Sequence, residues 1–202
     1  MSLTGAPASK LLSLVFLLDA PSRRVLLGLK KRGFGEGKFN GFGGKLEEGE
    51  TMPECARREL SEECGYDVPL HKLQSRGRMV FNMLSDGMVD RTTGAVASLL
   101  VVHIFTAAFE DASGDVRASD EMEPQWFDYD ALPLERMWLD DKYWLPLLLD
   151  GNDVVGEFTF ADEKTIVAHN VMALPVGSYA ADPAKHEHAV AFGEEGEKES
   201  AH

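Results

Sequence analysis

A chain of 202 residues with 44% apolar and 9% aromatic side chains can bury one substantial core and is too apolar to be disordered throughout. Its formal charge of −14 and pI near 4.8 exclude a protein that grips a nucleic-acid polymer by its phosphates, because that needs clustered Lys and Arg. A small anionic ligand screened by cations stays open, and no stretch reaches the roughly 20 apolar residues of a membrane span.

Residues 1–9 read as a flexible N-terminus. Lys10 followed by LLSLVFLL loosely imitates a signal peptide, but the run ends at Asp19 without a cleavage site and predicts a buried strand. The turn DAPSRR, punctuated by Pro21, leads to a second strand, VLLGLKK. Next comes RGFGEGKFNGFGG, whose six glycines from Gly33 to Gly44 suit tight turns and close approach of backbone to a ligand. Thr51-Met52-Pro53-Glu54 has the capping-box spacing with proline in the first turn, so a helix starts at Thr51, and Gly65 stops it. Both cysteines, Cys55 and Cys64, fall on this helix. At about 1.5 Å per residue they lie roughly 13 Å apart and cannot bridge. No metal-type cysteine spacing exists either, which predicts reduced thiols and a cytoplasmic protein, with nucleus and mitochondria left open.

Further on, strands are predicted at 78–83, 98–110 and 123–129, with a polar, glycine-bearing loop at 84–97 forming a hairpin tip. A short helix near Leu134 and a second over DDKYWLPLLLD follow, and EFTF with KTIVAH predicts a last hairpin. Residues 173–202 lack periodicity and predict a disordered acidic tail, leaving one domain at 10–172.

The helix at 51–65 carries the chemistry. Pro53, Ala56, Leu60 and Cys64 form its apolar stripe, and Glu59, Glu62 and Glu63 share an adjacent arc. Like charges at these spacings cost a few tenths of a kcal/mol per pair, so a compensating cation is expected. Mg²⁺ or Mn²⁺, which prefer hard oxygen ligands, are the natural candidates. In isolation, such an acidic arc reads as a solvated helix face.

Its surroundings change that reading. Gly44, five residues, Glu50, seven residues, then Arg58-Glu59-Leu60-Ser61-Glu62-Glu63-Cys64-Gly65-Tyr66 resembles the signature of the Nudix hydrolases. Seven fixed positions agree by chance on the order of once in 10⁹ starts. The resemblance implies an α/β (α+β) fold, the Nudix α/β/α sandwich with a mixed central β-sheet between helices, and a signature spanning 44–66. It also implies an enzyme using Mg²⁺, with Mn²⁺ as a substitute, held by Glu59, Glu62, Glu63 and the carbonyl of Gly43. Glu121 of SDEMEPQWF is expected as a further ligand or as the base, although on its own it reads as part of an ordinary acidic loop. Gly44, Glu50, Arg58 and Gly65 are expected to be structural. Tyr66 departs from the usual aliphatic residue.

Over 11–169 the chain is similar to the eukaryotic oxidised-purine nucleoside triphosphatases, the MutT homologues, notably in VLLGLKKRGFGEGKFNGFGGK, SDEMEPQWF and MWLDDKYWLPLLL. By matched position this implies that Asn40, Asp140 and Asp141 hydrogen-bond the purine while Trp138 and Phe81 stack on or enclose it. It further places Ser13 in the base pocket, Lys30 at the triphosphate or sugar, and Phe34 at the sugar or base. An amide offers donor and acceptor together, and two neighbouring carboxyls can share one proton. Read alone, Trp138 and Phe81 are core residues, Asp140 is a helix cap and Lys30 is a surface lysine. Met83, Leu100 and Leu139 depart from the family's residues, which leaves the balance between oxidised guanine and oxidised adenine open.

The reaction so implied is hydrolysis of 8-oxo-dGTP and 2-hydroxy-dATP to monophosphate and pyrophosphate by a monomer, which cleans the nucleotide pool and avoids DNA damage. Rival readings are a Nudix hydrolase of ADP-ribose or a dinucleoside polyphosphate, and a catalytically silent nucleotide-binding module.

Overall fold

The computed structural model describes residues 9–84 and 98–183. The chain alternates short connections with long strands: β1 Ser9–Asp19, β2 Arg24–Lys30, β3 Phe39–Asn40, β4 Gln74–Met83, β5 Ser98–Ala108, β6 Met122–Asp128, β7 Asp153–Asp162 and β8 Thr165–Leu174. Among the described residues there are three α-helices: α1 Met52–Cys64, α2 Asp141–Leu149 and, after the last strand, α3 Ser178–Ala181. Among the described residues no helix is long and apolar enough to cross a membrane.

The strands form one mixed sheet in the order β3-β2-β1-β5-β4-β7-β8, with β6 also pairing β2. β1 runs parallel to β5, β4 runs parallel to β7, and the other pairs are antiparallel. Period-two alternation divides β1 between two cores. Leu14 and Phe16 face a cluster containing Trp144, Leu145 and Leu148 of α2, while Val15 and Leu17 face one containing Ala56, Leu60 and Cys64 of α1. The sheet therefore lies between helices, as the resemblance implies.

One irregularity makes the cleft. β1 and β2 pair only at Leu17–Leu26, Leu18–Val25 and Asp19–Arg24, and then part. The 41–46 segment takes the place beside β1: Ser13 N–H donates to Gly44 C=O at 2.9 Å, and Val15 and Phe42 exchange both backbone bonds. Gly43 is pressed so closely against β1 that a Cβ there would meet the Ser13 carbonyl, so only glycine fits.

Helix α1 begins and ends where its sequence predicts. Both bonds of the Thr51–Glu54 capping box are present, and Gly65 closes it in the left-handed conformation with φ 85°. The two-residue strand β3 has no counterpart in the sequence reading, being too short to show a period. The predicted helix near Leu134 is a single 3₁₀ turn at Leu134–Arg136, and the last hairpin is longer than expected.

The sequence ends the domain at 172, but β8 continues to Leu174 and the chain then turns into α3. Tyr179 is 3% exposed, and its backbone N–H donates to Oδ2 of Asp153 at 3.0 Å. Arg76 Nε donates to the other oxygen of that carboxylate at 2.7 Å. One buried aromatic ring and one buried carboxylate thus hold 175–183 to the body, a contact that composition does not reveal. Of the predicted N-terminal segment 1–9, loop 84–97 and tail 173–202, residues 1–8, 85–97 and 184–202 lie outside the described residues.

Candidate active site

The glutamate helix places its three carboxylates in different environments. Glu63 is 5% exposed, accepts the Gly43 N–H at 2.9 Å through Oε2 and holds Oε1 3.4 Å from Nζ of Lys30. Burial pushes its carboxyl up to about 7 and raises that of Glu59 as well. Glu62 stands apart, with a side chain 62% exposed that turns toward Arg58 at 3.3 Å. The shared arc expected from helical spacing is therefore graded from buried to solvated.

Arg58 supplies much of the compensation that the sequence assigns to a cation. It grips Glu50 with two bonds of 2.6 and 3.1 Å, reaches Glu59 at 2.8 Å, and donates to the Lys45 carbonyl at 3.2 Å. That grip holds Glu50 down to about 2. Because the Lys45 carbonyl lies just after Gly44, Arg58 and Glu50 brace the glycine loop against α1. Lys30 provides the second counter-charge, 2.8 Å from Glu121, whose other oxygen meets Arg32 at 3.0 Å. Those two bonds lower the Glu121 carboxyl.

The residues present suit a divalent cation by chemistry. Two desolvated carboxylates one helical turn apart, beside a glycine backbone, form an all-oxygen donor set of the kind Mg²⁺ and Mn²⁺ prefer. They are not gathered into a cage, since among the described residues no three acidic groups converge as ligands.

A cavity of about 530 Å³ opens beside this cluster. Lys30, Gly43, Gly44 and Glu121 line both it and the cleft over Glu59, Glu62 and Glu63, so the two are continuous. Asn40, Phe34, Phe81, Trp138, Asp140 and Asp141 all line the cavity, as their matched positions imply. So do the departing residues Met83 and Leu100. Asn40 accepts the Gly41 N–H at 2.8 Å. Phe81 stacks on Phe158 at 5.7 Å and is core and wall at once. Ser13 also lines the cavity, but its hydroxyl lies 3.2 Å from the Cys55 thiol of α1.

Asp140 is 4% and Asp141 2% exposed. Asp140 makes no side-chain cap bond, so the capping explanation fails for it, and its Oδ2 instead accepts the Trp144 indole N–H at 2.9 Å. Asp141 accepts the Trp138 backbone N–H at 2.9 Å. Burial raises Asp140 to about 6, and burial together with its charged neighbour raises Asp141 further from its ordinary value. Burial thus holds both carboxyls toward their protonated form. Sequence reasoning missed Trp144, although a donor four residues after Asp140 on one helix is a readable spacing. It also missed Arg32 and Lys38. Lys38 immediately precedes β3 and lines the cavity together with Asn40.

The sequence comparisons agree with this geometry. A family model described as NUDIX domain matches residues 11–148. An oxidized purine nucleoside triphosphate hydrolase of Danio rerio is 45% identical over 164 residues, covering 81% of this chain and 94% of that one, and its Mus musculus counterpart is 43% identical over the same spans. The crystal structure of a mutator MutT protein from Bacillus halodurans superposes with a TM-score of 0.65 at 23% identity, covering 80% of this chain and 97% of that one.

Proposed function

The chain belongs to the Nudix family of hydrolases, and on that premise we propose that it cleaves oxidised purine (deoxy)nucleoside triphosphates to monophosphate and pyrophosphate. The observation that carries the reading is a single cleft with two chemistries. At one end, buried Asp140 and Asp141 stand with Asn40 beside Trp138; at the other, Glu59 and Glu63 flank Gly43. The distance between the ends is bridged by Lys30, a cation suited to a triphosphate.

Base recognition follows from the protons available. An oxidised purine in its keto form gains a carbonyl oxygen as an acceptor, and the ring nitrogen beside it changes from an acceptor to an N–H donor. A carboxyl pair holding one proton can present one acceptor and one donor, and Asn40 adds an amide. Burial makes these bonds discriminating, because an unoxidised base would leave one buried polar group unpaired.

Glu59, Glu63 and the Gly43 carbonyl would hold a divalent cation, Mg²⁺ with Mn²⁺ as a substitute. When bound, it neutralises polyphosphate charge and acidifies a coordinated water. Arg58 and Glu50 keep the glycine loop docked so that Gly43 stays over Glu63. Glu121 faces the same opening, as a further ligand or as the acceptor of the water's proton, and Lys30 and Arg32 hold it ionised. Glu62 stands at the rim with Oε2 3.3 Å from Arg58, placed to add a further oxygen to the ligand set. The reading carries with it a monomer acting in the cytoplasm; the two cysteines are free and buried, which supports a reducing compartment.

The test is pyrophosphate release with Mg²⁺ from 8-oxo-dGTP, 2-hydroxy-dATP and dGTP, with ADP-ribose and a dinucleoside tetraphosphate assayed for their own products. Preference for an oxidised triphosphate supports the reading. Turnover confined to the last two substrates would overturn the base pocket and leave the phosphate chemistry.

A further inference from the structure

Lys38 is half-buried in the cavity wall and makes two contacts with one short stretch of chain. Its Nζ lies 4.9 Å from the centre of the Trp138 ring and donates to the Met137 carbonyl at 3.1 Å. It therefore grips residues 137 and 138 by side chain and backbone together. The backbone it grips delivers the Trp138 N–H to Asp141 at 2.9 Å, so the same anchor bears on the carboxyl pair.

The rest of the glycine loop leans on the same ring. Phe34 stacks on Trp138 at 4.7 Å with planes 28° apart. Gly35, at φ +84°, brings its backbone so close that a Cβ would stand 2.8 Å from the indole. Phe34 and Gly35 are contacts of packing and yield to a shift of the loop. Lys38 is directional, combining a cation on a π face with a charge-assisted hydrogen bond.

Resting on the base-pocket reading above, we infer that Lys38 is a positioning residue for base recognition: it fixes Trp138 and the backbone that orients Asp141, and so sets affinity and selectivity for the oxidised base while the phosphate chemistry proceeds elsewhere in the cleft. A lysine that only stabilised the fold would move melting temperature and all substrates alike.

The test compares Lys38→Met, which keeps the stem and loses both contacts, with Lys38→Arg, which can remake them. In Lys38→Met, KM and Kd for 8-oxo-dGTP rise about tenfold, as expected for losing one cation–π contact and one charged hydrogen bond, while kcat changes less than threefold. The preference for 8-oxo-dGTP over dGTP falls. Without any nucleotide, tryptophan fluorescence shifts relative to the parent, and the shift vanishes when Trp138→Phe is the common background. Lys38→Arg restores KM and the spectrum. Unchanged KM in Lys38→Met, or equal losses for both nucleotides, overturns the inference. Failure of the parent protein to prefer oxidised nucleotides would instead overturn the base-pocket reading, and the nucleotide-free fluorescence comparison would still decide whether Lys38 fixes Trp138.

Discussion

The indole N–H of Trp144 donates to Oδ2 of Asp140 at 2.9 Å, from a ring only 1% exposed. Asp140 thereby has a fixed donor to offset its charge, Asp141 has the Trp138 backbone N–H, and burial raises both carboxyls.

This arrangement predicts a stability cost that depends on pH. The ordinary carboxyl value is 3.8, and burial lifts Asp140 to about 6 with Asp141 also raised. The folded protein thus keeps protons that the unfolded chain has released, and stability falls as pH rises through the folded values. Asp141→Asn should raise Tm at pH 8 by several degrees and barely change it at pH 4, read by scanning calorimetry. The same variant should lose affinity for oxidised purine nucleotides. A uniform Tm change across pH would show that the carboxyl is not buried as described.

Glu63→Gln should keep the fold, because an amide oxygen can still accept the Gly43 N–H. Turnover should fall by about 10³-fold or more, roughly 4 kcal/mol of lost transition-state stabilisation, with nucleotide affinity largely kept. Chelation with EDTA should abolish activity in the parent, and added Mg²⁺ should restore it.

Arg58 grips Glu50 with a planar fork, a geometry that an ammonium cannot copy. Arg58→Lys should therefore behave almost as badly as Arg58→Ala. Both should lower Tm by roughly 3–8 °C. Both should also raise the Mg²⁺ concentration needed for half-maximal rate, since the loop carrying Gly43 loses its brace. Full rescue by lysine would reduce Arg58 to a mere counter-charge.

Asp153 is fully buried and serves Arg76 and the Tyr179 backbone together. Asp153→Ala leaves the buried Arg76 charge with only the Gly151 and Asn152 carbonyls and should cost about 3–5 kcal/mol in chemical denaturation. Substrate selectivity at low temperature should not change, because these groups lie apart from the cavity-lining residues.

What the sequence reveals of all this follows the range of the interactions. The 44–66 signature, the Thr51 cap and the Gly65 stop are set by neighbours along the chain, and they stand where the spacing puts them. The cavity-lining positions were readable by matched residues. The gradation of Glu59, Glu62 and Glu63 was not, because it depends on Gly43 and Gly44 folding over Glu63 and Glu59 and leaving Glu62 to solvent. Nor was the burial of Tyr179, whose partner Asp153 is 26 residues away in a stretch of ordinary strand sequence. The hydroxyl of Ser13 shows the same limit: its strand was predicted, and its neighbour Cys55 came from another element.

The parting of β1 and β2 has an outcome for anyone who would retarget the enzyme. The substrate cleft beside it is walled in large part by β1, β4 and β5, strands that also hold the molecule together. Residues on surface loops can be exchanged to alter preference at little risk. Here a new preference and a new folding energy arrive in one substitution, and a library that varies 12–14 or 79–83 should be built on a stabilised parent.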